Sequence, residues 1–397
     1  MRLPTPLHGP AFSTYRAEEV TWLLTDLSTV DLELGLADRE RRVRSGTHYA
    51  EMLPVEYQPG LAYVALFHQM LARTAPAVAR AVAVVTESVL AARGRRVVLV
   101  SLARAGTPVG ILMRRWAAHA HGLALPHYTI SIVRDRGIDP VALRYLAAHH
   151  DPSTVVFVDG WTGKGAIARE LNLALDRASD VRFASDLAVL ADPAHCGRWC
   201  GTREDLLVPS AMLNATVTGL VSRTVLRADL VGPNTFHGAK FYAHLTAADV
   251  SARFLDTVTA AFPALTPPFR PEPAASTSAG PVGWATARRV ARSCGIADLN
   301  LVKPGLGETT RVLLRRVPWK VFVRSLRDPE VAHILLLARQ RGVDVVEVPG
   351  LLPYRSVGVV RPRFAQGDAP SDAQGGAQSP HGSGSFESPA PRREGRR

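Results

Sequence analysis

The stretch VVFVDGWTGKGAI, residues 155–167, decides the fold. A β-branched and aromatic run ends in Asp159, passes through small and polar residues around Lys164, and resumes with apolar spacing. Thr154 through Val158 is predicted as a buried strand. From Ala166 onward, Ile167, Leu171 and Leu175 fall on one face at helical spacing. Gly160 to Gly165 is therefore predicted as a loop from a strand's C-terminal end to a helix N-terminus. Backbone N–H groups and the helix dipole favour an anion at such a loop. The same glycines also suit a tight connection that binds nothing. A Walker A loop is excluded: two residues separate Gly160 from Gly163, and Gly165 rather than Ser or Thr follows Lys164.

Composition sharpens the question. Of 47 Lys plus Arg only four are lysines, Lys164, Lys240, Lys303 and Lys320. In a chain that writes its positive charges as arginine, a retained lysine points to a compact ammonium group. The net charge of +12 is uneven. Residues 1–284 hold 28 Lys/Arg against 25 Asp/Glu, residues 285–363 hold 15 against 6, and residues 364–397 hold 4 against 4. Such a concentrated surplus suits nucleic-acid binding or a solvated basic surface. At 397 residues the chain has room for two cores. No run of about 18 uncharged apolar residues exists to span a bilayer, and MRLPTPLHGP lacks a signal-peptide core, so a cytoplasmic protein without a membrane partner is expected. Cys196, Cys200 and Cys294 do not make a disulfide framework.

Pro, Ala and Ser dominate residues 264–283, which are predicted as a linker between domains 1–263 and 284–364. Residues 365–397 are predicted to be disordered. Short apolar runs at 97–101, 129–133, 154–158 and 187–190 alternate with helical patterns, which predicts an α/β fold with a parallel sheet. Ligands in such sheets bind beyond the strands' C-terminal ends. A second small-residue loop, SLARAGTP at 101–108, ends the strand at 97–101 and also precedes a helix.

At these two loops the chain resembles the type I phosphoribosyltransferases. SLARAGTP is similar to their pyrophosphate loop and VVFVDGWTGKGAI to their phosphoribosyl-pyrophosphate (PRPP) motif. The resemblance implies a phosphoribosyltransferase-like domain in which Ala103, Ala105, Gly106 and Thr107 hold pyrophosphate. Gly160, Thr162, Gly163 and Gly165 would hold the 5-phosphate, with Asp159, Lys164 and Arg104 as catalytic groups. Mg2+ would bridge pyrophosphate and ribose. Gly160 stands where that family has a second acid. More narrowly, HYAEMLP (48–54), HYTISIVRDRGID (127–139), LAVLADP (187–193), GTREDLLVPSAMLNATVTGLVSRT (201–224) and FHGAKFY (236–242) resemble the family labelled StiP, of tellurite-resistance and stress gene neighbourhoods. Arg203, Glu204, Asp205 and Lys240 are the expected acceptor pocket, with Asn214, Ser222 and Arg223 nearby and His48, Tyr49 and Glu51 as a hood. The StiP label carries the words "cysteine protease", yet Met212 stands where relatives are expected to carry cysteine.

The segment from Lys303 to Pro349 alternates helix, strand, helix, strand and resembles a Pelota-type RNA-binding domain. That resemblance implies RNA contacts by Lys303, Gly305, Gly307, Glu308 and Arg311, although Gly307 replaces the asparagine usual before the glutamate. His195, Cys196 and Cys200 in HCGRWCG lack a fourth zinc ligand, so no metal centre is expected. The leading expectation is a PRPP-dependent phosphoribosyltransferase acting on a base-like molecule or an RNA-linked acceptor. The alternatives are a non-catalytic PRPP- or nucleotide-sensing RNA-binding regulator and a cysteine protease.

Overall fold

The computed structural model describes residues 3–177, 181–271 and 282–362. The expected linker, 264–283, lies partly outside these residues, and the expected tail, 365–397, wholly outside them. In the first domain β1 (Thr21–Trp22), β2 (Val98–Leu102), β3 (His127–Ile130), β4 (Val155–Trp161), β5 (Leu187–Ala191) and β6 (Trp199–Thr202) form one sheet. Its order is β1-β3-β2-β4-β5-β6, and every pairing is parallel. The helices are α1 (Leu36–Arg44), α2 (Leu61–Arg93), α3 (Gly106–His121), α4 (Pro140–His149), α5 (Ala166–Arg177) and α6 (Ser251–Thr259).

Alternation along β4 shows why its residues are apolar throughout. Val156 and Val158 join the core that contains α2, α3 and α6. Val155 and Phe157 join the opposite core, with α4 and α5. A strand covered on both faces has no polar side. α2 is long and apolar enough in composition to cross a membrane, but Arg73 and Arg80 interrupt it and sixteen of its residues are buried.

The second domain contributes α7 (Val282–Ser293), β7 (Val302–Pro304), α8 (Leu306–Arg315), β8 (Pro318–Val323), α9 (Ala332–Gln340), β9 (Asp344–Glu347) and β10 (Ser356–Val360). Its sheet runs β7-β10-β8-β9. β8 and β9 are parallel, and β10 is antiparallel to both of its neighbours. Val321 and Val323 face the core shared with α8 and α9, and Phe322 faces the one shared with α7. Leu306, Leu313 and Leu314 of α8 belong to the same core cluster as α2 and α3, so apolar packing is continuous from one domain into the other.

Two expected boundaries move. β4 does not stop at Val158 but continues through Asp159 and Gly160 to Trp161, which pairs with Ala191. Extending the strand buries the Trp161 ring, so the loop shrinks to Thr162–Gly165. The strand expected at 129–133 breaks at Ser131, whose Oγ meets His237 Nδ1 at 2.9 Å. Beyond it, Ile132–Val133 pairs antiparallel with Gly137–Ile138.

Candidate functional site at the strand ends

The ends of β2 and β4 lie side by side, and their loops face one cavity of about 400 Å3. The α3 start sits tight against β4: a Cβ on Gly106 would lie 2.2 Å from the Val158 carbonyl oxygen. Gly165 takes φ +84°, a left-handed conformation that turns the chain into α5. Ala103, Arg104 and Ala105 of the first loop line the cavity, as do Asp159, Thr162, Gly163, Lys164 and Gly165 of the second.

Several expected ligand-binding groups are already engaged by protein. The Thr162 hydroxyl donates to Asp192 at 2.5 Å. Thr107 Oγ1 meets Thr129 Oγ1 at 3.1 Å. Arg104, across a cis Ala103–Arg104 peptide, donates to the Val221 carbonyl at 2.6 Å and pairs with Glu56 at 3.2 Å. The Lys164 ammonium donates to the carbonyls of Leu299 and Val302 and lies 4.9 Å from the Trp284 ring centre. The retained lysine is a strut into the second domain. Burial first, then Arg134, lowers its pKa to about 8.

The four residues of the expected acceptor pocket are not brought together. Arg203 pairs with buried Asp192, and Lys240 pairs with Glu33 at 2.8 Å. Glu204 is exposed. Asp205 is buried at the N-terminus of α8, accepting from Leu306 N–H at 3.0 Å and Arg355 N–H at 2.9 Å. Burial pushes its carboxyl up to about 6 despite those two donors. Asp205 therefore ties GTRED to the second domain, and none of the five residues lines the junction cavity.

The second domain roofs the cavity with the segment expected to contact RNA. Lys303, Glu308 and Arg311 line it. A Cβ on Gly163 would lie 2.8 Å from Glu308 Cγ, and one on Gly307 would lie 2.2 Å from Trp161 Cε2. The Arg311 guanidinium sits 4.6 Å from the Trp161 ring centre and pairs with Glu308 at 2.7 Å. Tyr354 donates its hydroxyl hydrogen to the Gly163 carbonyl at 2.5 Å. Gly305 and Gly307 are thus packing positions between the domains. Burial pushes the Asp159 carboxyl up to about 6, against the pull of Arg311.

Sequence reading missed Arg134, Arg315 and Arg316, which also line the cavity. Arg311 and Arg315 lie four residues apart on α8 and so share a face. That spacing was the available signal.

No cysteine belongs to this lining, but Cys196 packs behind it, where a Cβ on Gly165 would lie 3.3 Å from its Sγ. The Cys196 thiol is 3.7 Å from Asp192 Oδ1, and burial together with that carboxylate raises its pKa. Cys200 is buried in β6 opposite Val189. Cys294 Sγ lies 3.9 Å from Ser293 Oγ. Met212 is fully buried. Among the described residues no group of three or more His, Cys, Asp or Glu side chains comes together as a metal-ligand set.

Residues 13–259 match the family described as tellurite-like stress resistance cysteine protease StiP, and residues 281–362 match the Pelota RNA-binding domain. "Cysteine protease StiP" of Acinetobacter baylyi (strain ATCC 33305 / BD413 / ADP1) is 32% identical over 366 residues, which cover 88% of this chain and 94% of that protein. A crystal structure of a hypothetical protein from Neisseria gonorrhoeae with bound ppGpp aligns with 31% of this chain and 66% of its own, at 14% identity and a TM-score of 0.20. That likeness is too low to carry a shared fold. The family description and the Acinetobacter protein both name a cysteine protease, which overturns the expected phosphoribosyltransferase, and neither PRPP nor magnesium finds support in them. The chain belongs to the StiP family and carries a C-terminal Pelota RNA-binding domain.

Proposed function

We propose that the chain is an RNA-binding protein of the StiP family. RNA is held by the exposed basic surface of its second domain, and the start of α8 serves the junction with the first. The carrying observation is that the Pelota match, residues 281–362, holds 14 Lys/Arg against 6 Asp/Glu. Within it Arg288 and Arg292 are exposed one helical turn apart on α7. Glu308 and Gly307, by contrast, pack on Gly163 and Trp161. Two small-residue loops ending the neighbouring strands β2 and β4 support a phosphoribosyltransferase-like frame for the first domain, without that family's reaction. Binding of a structured RNA to the full chain is expected to weaken steeply with salt as counterion release is lost. Replacing Arg288 and Arg292 by Gln should lower the slope of log K against log salt by about 2. An unchanged slope, or no binding at about 50 mM salt, overturns this reading.

A second reading is a cysteine peptidase, favoured by the descriptions of the family and of the Acinetobacter protein. A cysteine nucleophile acts as its thiolate, stabilised by a neighbouring cation or base. Cys196 has the Asp192 carboxylate beside it, and the nearby Arg203 cation is already paired with that carboxylate. Iodoacetamide is therefore expected to alkylate native Cys196 far more slowly at pH 8 than a free thiol peptide. Peptide-bond cleavage by the purified chain that disappears in Cys196→Ala would establish the peptidase and displace this expectation.

A further inference from the structure

Eight Lys and Arg side chains line the junction cavity against four carboxylates. Two of the cations have protein counter-ions, Arg104 on Glu56 and Arg311 on Glu308. Arg134, Arg223, Lys303 and Arg315 have no ion-pair partner among the described residues, and neither does exposed Arg316 at the rim. Arg223 donates to the carbonyls of Tyr49 and Met52, but its buried Nε meets no acceptor. Arg315 has one neutral partner, Asn214 Oδ1 at 2.5 Å.

Like charges crowded in a partly dry space repel strongly unless an anion lies among them. The titration of these groups shows the strain. Burial, followed by Arg39, Arg316 and Arg104, lowers Arg223 to about 9. Burial, then Arg104 and Arg311, lowers Arg315 well below the usual arginine range. Burial lowers Lys303 to about 7, with Arg134 and Lys164 adding to it and Glu308 opposing.

We propose that the junction cavity is a binding site for a small phosphate-bearing molecule, held by Arg223 from the first domain and Arg315 and Lys303 from the second. Phosphate is the anion that fits: it accepts several guanidinium hydrogen bonds at once and carries more than one charge. The cavity is of small-molecule size. The ligand touches both domains, so it ties α8 to the strand ends of β2 and β4. The inference is independent of RNA binding by the exposed arginines, which lie outside the cavity lining.

The full chain is titrated by calorimetry with inorganic pyrophosphate, with a nucleoside 5′-diphosphate, and with a 5′-phosphorylated RNA oligonucleotide. Saturable binding of pyrophosphate or the diphosphate is expected, weakened about tenfold to hundredfold in Arg223→Met and Arg315→Met. Arg169→Met, an exposed α5 change, should bind as the parent does. If Arg315→Met fails to fold, Lys303→Met and Arg316→Met give the same readout from neighbouring charges. No saturable binding of either small molecule, or equal binding by the cavity variants, overturns the proposal. Binding of the oligonucleotide alone, lost in the cavity variants, overturns it in favour of an RNA phosphate.

Discussion

Asp205→Ala is expected to destabilise the full chain by about 2–5 kcal/mol, and Asp205→Asn by far less. The Asp205 carboxylate is the acceptor for Leu306 N–H, the first amide of α8, and for Arg355 N–H beside β10. Alanine leaves both donors buried without a partner, at about 1–3 kcal/mol each. Asparagine keeps an acceptor oxygen and removes the buried charge. The sign of the pH dependence follows from the raised carboxyl, about 6 in the folded chain against an ordinary value of 3.8. A group whose folded pKa is raised stabilises the fold most below its unfolded value and loses that contribution as pH rises through the folded one. Asp205 thus contributes about 2 kcal/mol at pH 4 that is gone above pH 7. Asp159 behaves in the same direction. Urea unfolding from pH 4 to 8 checks this. Asp205→Asn should flatten the profile relative to the parent, and an Asp205→Ala chain as stable as the parent at pH 7 would remove Asp205 from the junction.

Asp205 also shows where sequence reading ran out. The β4–α5 unit was legible because its signals are local: a two-residue alternation, a glycine turn, then a face of Leu171 and Leu175. The strand–helix alternation of the second domain was legible for the same reason. The charged run around Asp205 points to a ligand pocket because such a run between apolar segments must face something polar. What it faces is an amide 101 residues further along the chain, which no local pattern encodes. The same holds for the carbonyl partners of Lys164, which lie 135 and 138 residues away. Arg134, Arg315 and Arg316 were hidden by composition. In a chain with only four lysines among 47 basic residues, an arginine carries little information by type, and beyond the spacing of Arg311 and Arg315 it takes the cavity to show which ones matter. Strand β1, two residues long, is too short for any periodicity to reveal.

Gly307→Ala is expected to lift α8 off the first domain, at a cost of about 1–3 kcal/mol, and Gly307→Val to cost more. The added methyl would lie 2.2 Å from Trp161 Cε2 and 2.4 Å from Nε1, too near for any rotamer to avoid. The indole has little room to retreat, because Trp161 ends β4 in register with Ala191 and the Arg311 guanidinium lies 4.6 Å from its ring centre. Displacing α8 moves Arg311 and Arg315 together, so phosphate binding should fall as well as stability. Trp161→Ala alone should cost about 3–5 kcal/mol by opening a cavity. The two changes are coupled: with the indole gone, the methyl introduced by Gly307→Ala enters vacated space. The double variant should therefore be more stable than the sum of the single effects allows, by at least about 1 kcal/mol. Urea unfolding of the four chains measures the coupling. Strict additivity would mean that α8 does not rest on Trp161, and the junction would then have to be held by Asp205, Lys164 and Tyr354 without it.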